Sequence, residues 1–305
     1  MLYFVKLLIS AIVTSMLCTH QVYAELSSSG FGIFGIVYDS DPSTPSTRLD
    51  TEFGLELDLK STTSQGLEFT ASMLFEAVSN SDGTMGGAEG SAGEIEIMYG
   101  GFTLYLGNVG DLIYAGNIVD YYGYDIGLTD FAELSTGFNL PVNGFDPSKN
   151  DVNVYPIVTV EYTHENFTAG ASYIDENEEW QAGLVYTFKG FSVGGVYGIT
   201  NENSSDRDAF WVVSFGGEIG SFGFALLAAN SELQDQLSYG ASINYDIGTT
   251  TDLSAVYSDN GMDDQQATYA VGFSHSLGGG VSIAGSVGKT IYDYTNVDFG
   301  VIFDF

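Results

Sequence analysis

Beyond residue 24 the chain has no cysteine, since its single one is Cys18. Neither a disulfide nor thiol chemistry can then figure in a mature protein that begins after that point. Basic side chains are nearly as scarce. Against 40 acidic residues stand seven lysines and arginines, and those beyond residue 24 are Arg48, Lys60, Lys149, Lys189, Arg207 and Lys289. The formal charge of −33 excludes nucleic acid as a partner, because phosphates demand a basic footprint. No apolar run after residue 24 is as long as a membrane helix requires. Histidine there is limited to His164 and His275, both at expected strand ends, and no Gly-x-Ser-x-Gly elbow or His-x-x-x-His pair occurs. A hydrolase needs a nucleophile, a base and an orienting group, so no enzyme is expected.

Such acidity with few aromatics would suggest disorder, but aromatics make up 14% of the chain and 39 residues are glycine. The first 24 residues read as a secretory signal. Lys6 supplies the positive region, Leu7 to Leu17 the apolar one, and Val22-Tyr23-Ala24 the small-residue cleavage site. The apolar run is too short to cross a bilayer core of about 30 Å. Leu17 is too bulky for a lipidation signal ahead of Cys18. Residues 25–305 then form a single domain.

The tail shows what that domain is. Val297, Phe299, Val301, Phe303 and Phe305 fall on one face, and Asn296, Asp298 and Asp304 on the other. Side chains alternate across a strand with a period of two, so one face is greasy and the other wet. The same pattern predicts strands at Gly32–Tyr38, Leu49–Lys60, Leu67–Val78, Gly93–Tyr99, Phe102–Asn108 and Val154–His164. It continues at Phe167–Ile174, Glu179–Phe188, Phe191–Thr200, Asp208–Glu218 and Phe222–Asn230. The last are Gln236–Asp246, Thr251–Ser258, Gln266–Ser276, Val281–Ile291 and Asn296–Phe305. Sixteen strands joined alternately by short turns and longer loops fit an all-β, antiparallel transmembrane barrel. A propeller or double sandwich also uses many strands, but not that alternation of connections.

A charge on the lipid face costs about 2–4 kcal/mol near mid-bilayer, which sets the faces. Phe53, Leu55, Leu57 and Leu59 should look outward, with Arg48, Asp50, Glu52, Glu56, Asp58 and Lys60 on the lumen wall. Leu67, Phe69, Ala71, Met73 and Phe75 should also face out, as should Leu237, Tyr239, Ala241, Ile243 and Tyr245. Phe188, Tyr245, Phe303 and Phe305 suit interfacial girdles.

Between Asn108 and Asn153 the alternation fails, and structureless loops of that length are usually functional. Leu112, Ile113, Ile118 and Val119 are expected to pack on the inner wall, with Asp111, Asp120, Asp125, Asp130 and Glu133 forming an acidic constriction. A large external loop, or two irregular strands, is the other reading of this segment.

These residues resemble the general diffusion porins of alphaproteobacteria, the Rhodobacter type. The similarity lies in Thr62-Thr-Ser-Gln-Gly-Leu-Glu-Phe-Thr-Ala-Ser72, in Gly107-Asn-Val-Gly-Asp-Leu112 and in Val154-Tyr-Pro-Ile-Val-Thr-Val-Glu-Tyr162. It extends through Ser276-Leu-Gly-Gly-Gly-Val-Ser-Ile283 to the terminal Phe305. The resemblance implies a sixteen-stranded homotrimer in the outer membrane of a Gram-negative bacterium, its third loop (about 109–153) folded inward. It also implies contact with lipid and lipopolysaccharide, and delivery by outer-membrane assembly machinery through Phe305. One departure concerns the wall facing that loop. Such porins carry a cluster of Arg and Lys there, where this chain offers only Arg48 and Lys60 among carboxylates. Family members can bind calcium among lumen carboxylates, but no spacing such as an EF-hand marks a site here. The expected activity is passive, cation-preferring diffusion of ions and small hydrophilic solutes. The alternatives are a substrate-selective channel, with Tyr114, Tyr121, Tyr122 and Tyr124 along a sugar path, or a plugged adhesin-like barrel.

Overall fold

Alternating strands with one wet face can bury neither face alone, and the chain resolves this by closing its sheet into a ring. The computed structural model describes residues 23–79, 85–90, 93–107, 109–136, 138, 157–175, 178–200, 208–232 and 236–305. The strands are β1 (Tyr23–Asp39), β2 (Thr47–Thr62), β3 (Glu68–Ser79), β4 (Met85–Gly90), β5 (Glu94–Tyr99), β6 (Phe102–Gly107), β7 (Ile157–His164), β8 (Phe167–Ile174) and β9 (Glu179–Phe188). They continue as β10 (Phe191–Thr200), β11 (Asp208–Ile219), β12 (Phe222–Ser231), β13 (Ser238–Ile247), β14 (Thr251–Asp259), β15 (Thr268–Gly278), β16 (Val281–Lys289) and β17 (Thr295–Asp304).

Neighbouring strands run antiparallel around the ring, and β1 pairs with both β2 and β17, so the sheet closes on itself. Closure matters because an unpaired backbone group facing lipid costs several kcal/mol. β4 and β5 both pair with β3, Ser79 opposite Met85 and Ser72 opposite Glu94. They are two pieces of one barrel strand, which leaves sixteen positions around the ring.

Two expectations are corrected. β1 starts at Tyr23, nine residues before Gly32, because Ser27-Ser-Ser-Gly30 pairs with β2 without apolar alternation to betray it. Its first two residues precede the expected cleavage point at Ala24. The Gly-rich connection Ser79–Gly90, between the expected strands Leu67–Val78 and Gly93–Tyr99, contains β4. The rest of the expected signal, residues 1–22, lies outside the described residues, as do 139–153 of the long loop and 154–156 of the strand that follows.

The faces sort by polarity. Phe53 and Leu59 on β2, Met73 and Phe75 on β3, and Tyr239, Ile243 and Tyr245 on β13 point outward and are exposed. Two belts of aromatics bound this apolar band. At the short-turn end Phe102 meets Tyr162 and Phe167 meets Tyr186, both with ring centroids 4.4 Å apart, and Phe188 lies against Phe191. At the loop end Trp180 contacts Tyr197 and Tyr239 contacts Tyr257. Trp180 and Phe188 stand eight residues apart on β9. That is about 26 Å along the strand at ~3.3 Å per residue, and about 20 Å across a bilayer once the strand is tilted.

Candidate pore constriction

The segment after β6 runs along the inside of the barrel, and its local chemistry explains its course. Val109 packs with Ile157 and Ile174, while the Gly110 carbonyl accepts a hydrogen bond from Thr159 Oγ1 at 3.2 Å. Asp111 then turns the chain. Its Oδ1 accepts from the backbone N–H groups of Ile113 (2.8 Å) and Tyr114 (3.0 Å), and its carbonyl accepts from Ala115 N. An Asp side chain that satisfies the next donors is a local alternative to regular structure.

Beyond the turn the loop carries its own core. Leu112, Ile113, Ile118, Val119, Ile126 and Leu134 are fully buried against Val196, Phe210, Val212, Ala225, Leu227 and Ala229 of the inner wall. Burying such side chains stabilises by about 1.5–3 kcal/mol each. The wall makes room by omitting side chains. A Cβ at Gly194 would run into the Ile118 carbonyl oxygen, and one at Gly223 into the Tyr124 ring.

Polar tethers mark the path around the ring. Asn117 Nδ2 donates to both carboxylate oxygens of Glu161 on β7 (3.2 and 3.3 Å), and Asp120 N donates to Ser214 Oγ on β11 at 2.9 Å. Tyr124 N donates to Ser242 Oγ on β13 at 3.0 Å. Leu128 N and Thr129 Oγ1 donate to the Asp298 carboxylate of β17 at 3.0 and 2.8 Å. The chain then folds back, with Leu134 N donating to the Tyr122 carbonyl at 2.9 Å.

Among the described residues the loop packs on the wall from β6 round to β17 and β1, and β2 to β5 face it. The five expected loop carboxylates divide. Asp111 is a correction: its side chain is 0% exposed and serves the turn, so it does not line the open channel. Asp120 Oδ1 accepts from Gly123 N, which spends much of it on local structure. Asp125 is exposed, while Asp130 and Glu133 are half-buried on the same stretch. Asp130 Oδ1 accepts from Ile126 N at 2.6 Å, and the residue lies within electrostatic reach of Glu52 on β2.

The facing wall is acidic as well. Glu56 and Asp58 of β2 lie within electrostatic reach of Glu94, and Glu96 within that of Glu161. Its two cations each lie beside a carboxylate: Lys60 Nζ sits 3.2 Å from Glu68, and Arg48 Nη1 3.9 Å from Asp39, an ion pair beyond hydrogen-bond distance. Asp50 accepts from Ser79 Oγ at 3.0 Å. No basic stripe faces the loop among the described residues, and no group of three or more acidic, His or Cys side chains is placed to hold a metal among them.

Burial also sets the protonation of the loop. It pushes Glu133 up to about 7, helped by Asp130 and Asp125 and opposed by a hydrogen bond from Ser135. It pushes Asp130 up to about 6, with the Ile126 amide opposing and Asp125 and Asp298 adding. Asp111 rises to about 6 for the same reason, against hydrogen bonds from Tyr114, Ile113 and Gln181.

Three of the four tyrosines form a cluster. Tyr121 is buried between Tyr114 and Tyr122, at centroid distances of 5.4 Å to each, and Tyr122 donates its hydroxyl to the Tyr114 carbonyl. At the seam of the ring Phe305 is exposed and stacks with Phe53 at 6.1 Å, and Phe303 is exposed beside it.

Sequence reading missed the wall residues that receive the loop. Ser214, Ser242 and Gly194 are inward positions in strands where small residues face a backbone, and their only signal is smallness on the wet face of an otherwise regular strand.

Comparison with known proteins agrees with this geometry. Two variants of the Rh. blastica porin superpose with TM-scores of 0.78 at 20% and 21% identity, each covering 92% of this chain and 100% of the other. A triple variant of the Rhodopseudomonas blastica porin gives 0.76 at 21% identity over the same shares. A search of curated proteins finds no match. A family model described as Gram-negative porin matches residues 10–295, and the chain belongs to that family: it is an outer-membrane channel protein and not an enzyme.

Proposed function

We propose that this porin is a weakly selective diffusion channel that prefers cations. The observation that carries the reading is acidity on both sides of the gap: Asp125, Asp130 and Glu133 on the loop, and Glu52, Glu56 and Asp58 on the wall. Arg48 and Lys60, the cations of that wall, are each already paired. A narrow aqueous path between low-dielectric walls focuses such a potential, concentrating cations and repelling anions. The preference should be clear at 0.1 M salt, where the Debye length is about 10 Å, and fade at 1 M, where it is about 3 Å.

Assembly as a homotrimer belongs to the same reading. The outward apolar bands are broad enough to serve lipid and neighbouring copies alike. The exposed terminal Phe305 is accessible for recognition by assembly machinery, and the loop end would meet lipopolysaccharide. The decisive experiment is the reversal potential of single channels in a salt gradient. Cation preference at 0.1 M supports the reading, and anion preference overturns it.

A further inference from the structure

We propose that Asp298 is the positioning residue for the constriction, pinning the loop across the seam where the first and last strands meet. The inference rests on the diffusion-pore reading only for what the position of the loop controls. Asp298 lies on β17 and is 2% exposed. Its Oδ1 accepts from Leu128 N at 3.0 Å, and its Oδ2 accepts from Thr129 Oγ1 at 2.8 Å and from Ser286 Oγ of β16 at 2.7 Å. Two donors come from the loop and one from the wall, so a single carboxylate joins them. Hydrogen bonds to a charged acceptor are the stronger kind.

The seam is shaped for the neighbouring side chain. Gly35 of β1 and Gly300 of β17 lie opposite one another in the closing ladder. A Cβ at either position would run into Leu128 Cδ2, and Leu128 is buried over both strands. Gly127 is also pressed to this spot, since a Cβ there would lie 2.7 Å from Asp298 Oδ1. Its φ of 82° suits glycine. The loop therefore touches the last strand by hydrogen bonds and the first by packing. The seat of Leu128 exists only once β1 and β17 have paired, so this part of the docking is coupled to ring closure.

The test uses the mature protein in detergent, whose lack of cysteine permits a single probe. Leu128→Cys should react slowly with a small water-soluble maleimide, because the side chain is covered. Adding Asp298→Ala should accelerate labelling on the order of a hundredfold, since it takes a charged acceptor from two loop donors at roughly tenfold each. Thr129→Val in the same Leu128→Cys background removes one donor without altering a barrel strand, and should accelerate labelling by a smaller factor. Heat-modifiable migration reports whether the barrel has formed in each variant. In planar bilayers the channels of both variants, with Leu128 intact, should show added open-state noise. Unchanged labelling in both folded variants overturns the inference. Faster labelling in proteins that are silent in bilayers, wild type included, overturns the pore reading while upholding the pin.

Discussion

Gly30 and Phe305 exchange both of their backbone hydrogen bonds, Gly30 N to the Phe305 carbonyl at 2.9 Å and Phe305 N to the Gly30 carbonyl at 3.0 Å. The last residue of the chain thus finishes the ladder that begins at Asp39 opposite Asn296. Removing Asn296–Phe305 would leave β1 and β16 as unpaired edges in lipid, each orphaned group costing several kcal/mol. The truncated protein should give no heat-modifiable band and no protease-resistant barrel. Normal amounts of folded protein would show that the ring closes by another route.

Charge at the gap should be separable from charge in the turn. Asp125→Asn combined with Glu133→Gln removes two loop carboxylates that border the gap, and the cation preference at 0.1 M salt should fall while conductance persists. Asp111→Ala should leave the preference nearly unchanged, because that carboxylate is sealed from the channel. It should instead destabilise the loop by about 1–3 kcal/mol, through a buried N–H at Ile113 and a part-buried one at Tyr114 left without an acceptor. A selectivity change in the Asp111 variant equal to that of the double variant would contradict the placement.

Acidity should also make the channel respond to pH. Glu133 and Asp130 are held up to about 7 and about 6, so they ionise as pH rises through that range. Cation preference should therefore climb between about pH 5 and pH 8, and Glu133→Gln should remove the upper part of the rise. The stability effect has the opposite sign. In the unfolded chain these groups ionise near 4, so the folded loop retains protons that the unfolded chain has released. Its docking is firmest below about pH 4 and weakens as pH rises through about 6 to 7. Reversal potentials across this range measure the first effect and thermal unfolding the second. A selectivity that is flat in pH would refute the assignment of these groups to the gap.

Two adjacent glycines offer a packing test. Gly194→Ala would drive a methyl group into the Ile118 carbonyl, displacing the loop into the channel and lowering single-channel conductance. Gly195 faces outward, where a Cβ would meet Val213 Cγ1 at an ordinary 3.4 Å. Gly195→Ala should leave conductance as it is. Equal conductance in both variants would mean the loop does not rest on β10.

How far the sequence could be read depended on whether a signal was periodic. The outward set Val297, Phe299 and Phe303 is visible because it repeats every second residue. β1 was only half legible, since Ser27 to Gly30 have no apolar member to carry the alternation. β4 was hidden by Gly86-Gly87, a composition that marks turns more often than strands. In the loop, Leu112 and Ile118 could be assigned to a wall because they are too apolar for solvent. Asp111 could not be distinguished from Asp125 by residue type. Only the position of the next two amides, both aimed back at it, makes the first a turn residue and leaves the second to the channel. Asp298 showed up as one more polar residue on the wet face of the last strand, because nothing local reveals a partner 170 residues away.

The omitted side chains and hydroxyls along the inner wall have a consequence for descent and for engineering. They form a cast of the loop, with a hollow at Gly194, another at Gly223, and acceptors at Ser214 and Ser242 spaced to its amides. A loop transplanted from a relative would bring its own contour to a mould cut for a different one, and would stand away from the wall. Constriction and cast must therefore change together, and a graft that retunes this pore has to carry strand residues along with the loop.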